Sequence, residues 1–225
     1  MVFLTEKCLA KGAFMHFLFH LFYIKERHYM AGLTTLCAAS VLSYLYLGNL
    51  FVFDFDKEYS LPSIYHYMLL LLCCYGFYQL MQVERAYDVW FYAFMYLLID
   101  DMTTLHETAG WLLSKHAIPS EIWFFTKRAI GEIVYLAVVG GLLGVLMVKR
   151  FWSASRQVRL QFVIFTLLVV ALGLFGVLAD SIHEKACGTR DALCFALGVI
   201  EDGGEIFVTI LFIHQIKKLL PRTAH

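Results

Sequence analysis

The chain has 225 residues, of which 60% are hydrophobic and 16% aromatic, with a mean hydropathy of +0.69, well above the roughly 45–50% apolar content of soluble domains. Eighteen basic residues balance eighteen acidic ones, so no charge surplus points to nucleic acid or to an acidic partner. The composition is that of an all-α, polytopic membrane protein whose constant partner is the lipid bilayer.

In chain order, residues 1–29 read as a cytoplasmic amino-terminal segment. Within them, GAFMHFLFHLFYI (12–24) is apolar but has only thirteen residues, short for a core of ~30 Å. It reads as an interfacial helix with His16 and His20 on one face toward headgroups; the alternative is a tilted seventh span. No small-residue cleavage site follows it, so the segment is expected to be retained.

Six apolar runs of about 20 residues or more follow, at 30–53, 63–83, 88–112, 121–148, 158–182 and 192–216. They predict a six-helix transmembrane domain over 30–216, joined by short linkers, with a cytoplasmic tail at 217–225. With the amino terminus inside, the inner segments collect Lys7, Lys11, Lys25, Arg27, Arg85, Lys149, Arg150, Arg156, Arg159, Lys217, Lys218 and Arg222. The outer ones hold Lys57, Lys115, Lys185 and Arg190. This bias places both termini in the cytoplasm.

Cys37, Cys73 and Cys74 fall within spans and read as small packing residues. Cys187 and Cys194 flank the last outer linker, where an oxidising compartment would allow a disulfide.

Ionisable side chains inside a span cost at least ~2.5–3.5 kcal/mol each and so mark functional candidates. The third span carries Asp100, Asp101, His106 and Glu107; the fifth ends in Asp180, His183 and Glu184; the sixth holds Glu201, Asp202 and Glu205; the fourth adds Glu132. At ~100° per residue, Asp100, His106 and Glu107 share an arc while Asp101 points elsewhere. Asp180 with His183, and Glu201 with Glu205, each share one face of their own helices. These groups are expected to converge in the outer half of the bundle, with His66 at the rim. Gly203 and Gly204 would allow close helix approach. Arg128 and Glu132, four apart, are placed to neutralise each other.

Converging carboxylates and imidazoles are a ligand set for a divalent transition metal such as zinc, iron or manganese. The candidate ligands are Asp100, His106, Glu107, Asp180, His183, Glu201 and Glu205, with Glu107 or Glu201 as a catalytic base. Asp180 and His183 have the spacing of a helical carboxylate–x–x–His pair, whereas Asp100 and His106 do not. The leading reading is a metal-dependent membrane enzyme, a hydrolase or oxidase acting on a lipid or other amphipathic substrate. The alternatives are a cation or proton transporter using the same carboxylates, and an accessory membrane subunit. A simpler reading makes Asp180, His183 and Glu184 interfacial groups in contact with water.

The succession LLIDDMTTLHE, EIWFF, GVLADSIHE and VIEDGGEIF resembles a family of uncharacterised bacterial integral membrane proteins with D-[ED]-x(4)-HE and E-[ED]-G-x-E motifs. Asp100, Asp101, His106, Glu107, Glu201, Asp202 and Glu205 occupy the motif positions, over a likeness covering about residues 90–216. The resemblance implies a bacterial inner membrane and a polar site at these residues. The family brings no established activity with it.

Overall fold

In the computed structural model, residues 14–47, 51–54, 59–118, 125–186 and 192–220 are described, and among them there is no strand. The elements are α1 (14–22), α2 (Glu26–Leu47), α3 (Leu61–Val83), α4 (Asp88–Thr103), α5 (Leu105–His116), α6 (Lys127–Ser153), α7 (Arg156–Gly173), α8 (Asp180–Ala186) and α9 (Ala192–Leu219). A six-residue π-helix, Leu174–Ala179, joins α7 to α8.

Helix starts follow the local chemistry. Ser60, Thr126 and Ser155 each accept a backbone N–H three residues on, at the heads of α3, α6 and α7, satisfying donors the helix itself cannot. Pro62 sits in the first turn of α3, where its missing N–H costs nothing.

Four runs are long and apolar enough to cross a membrane: α2, α3, α6 and the continuous stretch Arg156–His183. The other two expected spans differ. The third is not one helix, because Thr104 adopts φ 49°, ψ 40°, in the left-handed region, and divides α4 from α5. The sixth, α9, is 28 residues long but carries Glu201, Asp202 and Glu205.

α3 is the central helix, packed against α4 and α9 with Leu69, Leu72, Cys73 and Phe77 fully buried. α6 shows Val138, Leu142 and Val145 outward, the surface a lipid-facing helix presents. Trp90, Phe77, Phe94, Phe165 and Phe212 fill the interior as one aromatic layer. Its ring centroids lie 5.1 Å apart for Phe77–Phe94, 4.7 Å for Phe94–Phe212 and 5.8 Å for Phe165–Phe212. In lipid such a layer holds helices together by close packing rather than by release of water. The Trp90 indole N–H, buried in this layer, has no acceptor among the described residues.

The end of the bundle beyond this layer is basic and is tied by ion pairs. Arg150 at the foot of α6 clamps Asp88 at the head of α4 with two hydrogen bonds, Nε to Oδ1 at 2.9 Å and a second from the guanidinium to Oδ2. Lys217 on α9 reaches Glu26 at 3.6 Å and donates to the Ile24 carbonyl at 2.6 Å. Burial draws its ammonium below the ordinary lysine value, with Glu26 opposing the shift.

Cys37, Cys73 and Cys74 are free thiols within helices. Cys194 is disulfide-bonded, while Cys187, the partner expected for it, lies outside the described residues. Residues 1–13 and the tail beyond Leu220 also lie outside them.

Candidate functional site

The polar end is built around His66, in the second turn of α3 and buried. Its Nδ1 faces Asp101 Oδ2 of α4 at 3.3 Å and Glu205 Oε2 of α9 at 3.8 Å, and its Nε2 lies 3.1 Å from Thr209 Oγ1. The Thr209 hydroxyl gives its one proton to the Glu205 carbonyl, at 2.8 Å, so toward His66 it can only accept. Facing an acceptor, Nε2 carries an N–H. His66 thereby joins α3 to α4 and α9. Asp101 Oδ2, beside Nδ1, is buried and accepts no hydrogen bond among the described residues.

Glycines on two helices make room for Glu205. A Cβ on Gly176, in the π-helix, would fall 2.0 Å from Glu205 Oε1, and one on Gly204 would strike the Phe175 ring at 2.2 Å. The carboxylate and the ring each occupy the notch left by the other helix's glycine, so the π segment and α9 interlock here.

A second group surrounds His106. Its Nδ1 donates to Asp100 Oδ2 at 2.9 Å, and the Tyr96 hydroxyl donates to Asp100 Oδ1 at 3.1 Å. In an unbroken helix, residues six apart sit about 240° and ~9 Å from each other and cannot touch; the left-handed turn at Thr104 folds α5 back and lets them meet. Glu107 turns instead to Arg128 on α6, whose guanidinium also binds Glu132 Oε1 at 2.9 Å. The two helices meet backbone to backbone, since a Cβ on Gly131 would lie 2.4 Å from the Gly110 carbonyl oxygen.

A third pair joins α8 to α9, with His183 Nδ1 on Glu201 Oε2 at 3.0 Å. Asp180 is half-buried at the head of α8, immediately after the π-helix.

The structure thus distributes the expected residues over three neighbouring sets: Asp100 with His106, His183 with Glu201, and Glu205 with Asp101 and His66. Glu107 belongs to the Arg128 bridge on the α6 side. Asp101, expected to point away, faces His66, because α3 packs against its side of α4. His66, expected at the rim, is the centre. Thr209 and Tyr96 went unnoticed, although each lies one helical turn from an acidic residue, which is a signal that spacing does contain. Among the described residues, no three His, Cys, Asp or Glu side chains gather as a metal ion would require.

The aromatic layer lies inward of all three sets. Phe212 is seven residues from Glu205, and Phe77 eleven from His66, placing it roughly 10–16 Å deeper along the helices. Among the described residues, the three sets therefore lie together on one side of the aromatic layer.

No curated protein and no solved structure matches the chain. Residues 82–216, which include α4 to α8, nearly all of α9 and every site residue above except His66, match the domain of unknown function DUF8692, and the protein belongs to that family.

Proposed function

We propose that the protein is a membrane-embedded acid–base enzyme acting on a lipid or other amphipathic substrate that enters from the outer leaflet. In this reading it crosses a bacterial inner membrane six times, with a broken third span. The basic end and both termini are cytoplasmic, as the positive-inside bias favours. The observation that carries the reading is the recurrence of one motif: His106, His183 and His66 each turn Nδ1 to a carboxylate. A carboxylate at Nδ1 holds the imidazole in one orientation and stabilises its protonated form, which is what a general base or acid needs. His106 with Asp100, and His183 with Glu201, are the proposed catalytic pairs; His66 with Glu205 and Asp101 ties the helices between them.

Each histidine of these sets faces a carboxylate, so the proposed chemistry rests on imidazole and carboxylate, and hydrolysis suits such groups. A proton or cation transporter is the weaker reading, because among the described residues the histidine–carboxylate sets all lie on one side of the aromatic layer, away from the basic end.

The test compares lipid extracts from cells producing the wild-type chain with extracts from cells producing His106→Ala or His183→Ala at equal levels. A lipid change present with the wild type and lost in both variants is expected. Identical profiles in all three, together with proton flux in proteoliposomes carrying a pH-sensitive dye, would transfer the assignment to transport.

A further inference from the structure

We propose that His16 and His20 on α1 form a two-nitrogen chelating site for a divalent transition metal ion, at the basic end of the molecule and separate from the polar cluster. The Nε2 atoms of the two rings are 3.2 Å apart. A tetrahedral ion with metal–nitrogen bonds of 2.0–2.1 Å needs its nitrogens ~3.3 Å apart, and a square-planar one ~2.9 Å. The observed separation falls between these values, so an ion can take the place of the one proton the rings now share, with little movement of either side chain.

The pair is held in place by the opposite face of the helix. Leu18 and Phe22, two residues beyond each histidine and hence about 200° around the helix, are buried. Phe22 lies against Gly76 of α3, where a Cβ would come 2.9 Å from its ring. Anchoring that stripe directs His16 and His20 outward, and both are exposed, so water can complete the coordination. The rings meet edge to face with centroids 4.3 Å apart. Imidazole donors select copper, nickel and zinc over the hard cations, and affinity should follow the usual order with copper strongest.

Protein purified in detergent through a tag without histidine is titrated with Cu²⁺ and with Zn²⁺ separately, and the Cu²⁺ form is examined by electron paramagnetic resonance. The wild type should bind an ion with two-nitrogen coupling. His16→Ala and His20→Ala should each weaken that binding roughly tenfold or more, while His28→Ala, at another exposed histidine, and His106→Ala should retain it. Unchanged affinity in both the His16 and His20 variants, or an equal loss in His28→Ala, overturns the site. Far-UV circular dichroism of each variant separates loss of the site from loss of the fold. The proposed enzyme is untouched by either result, since its residues lie at the other end of the bundle.

Discussion

His106 and Asp100 are bonded at 2.9 Å across six residues of sequence, and the left-handed backbone at Thr104 is what makes that bond geometrically accessible. A threonine in this conformation costs about 1–2 kcal/mol, so the chain tolerates local strain to bring an imidazole onto a carboxylate.

Thr104→Gly should therefore stabilise the fold by up to about 1 kcal/mol, read as a shift in denaturant midpoint by circular dichroism in detergent. Thr104→Pro should cost ~3 kcal/mol or more, because proline cannot reach positive φ and lacks the N–H that bonds the Asp100 carbonyl. A glycine variant weakened by the penalty expected inside an ordinary helix would argue that no strain is stored there.

The α5–α6 contact makes a paired prediction. Gly131→Ala would press a methyl into the Gly110 backbone, which cannot swing aside as a side chain can, and should destabilise by ~1–3 kcal/mol. Gly141→Ala, on the same helix with nothing within 4 Å, should be neutral or stabilising by up to ~1 kcal/mol. Equal effects from the two would mean that α5 and α6 are not in backbone contact.

For His66, selective ¹⁵N labelling should show Nε2 protonated, because the hydroxyl that faces it has its own proton committed to the Glu205 carbonyl. Thr209→Val, which removes the acceptor at Nε2, should shift that resonance and leave His106 unchanged. A pyridine-type Nε2 in the wild-type spectrum would remove that assignment.

At the basic end, Asp88 and Arg150 should show a coupling of about 1 kcal/mol in a double-mutant cycle with alanine. This is a bidentate pair discounted for the partial exposure of the arginine. Additive single substitutions would show that the clamp contributes nothing beyond its separate side chains.

Much of the architecture was legible in the chain. Apolar run lengths announced a helical membrane protein, and the rarity of charge in such runs singled out Asp100, His106, His183, Glu201 and Glu205. What escaped was how they pair. Helical arcs are computed one straight rod at a time, and Thr103-Thr104 carries neither the glycine nor the proline that usually announces a break. Once the rod is broken, Glu107 leaves the arc of Asp100 for Arg128 on α6. His66 takes the central position because α3 lies between α4 and α9, and neighbour order among helices leaves no mark in the periodicity of any one of them.

The π-helix at Leu174–Ala179 has a consequence for how this sequence could tolerate change in length. A π turn accommodates one residue more than an α turn over the same rise. Deleting one residue there, such as Leu178, should let the segment relax into a regular α-helix of nearly unchanged length. Both kinds of turn cover one full rotation, so the side chains beyond would keep their bearing and His183 would still face Glu201. A residue added to α7 without a second π turn would instead rotate them by about 100° and carry His183 away. The π turn thus absorbs a residue and keeps the last turns of this helix in phase with α9.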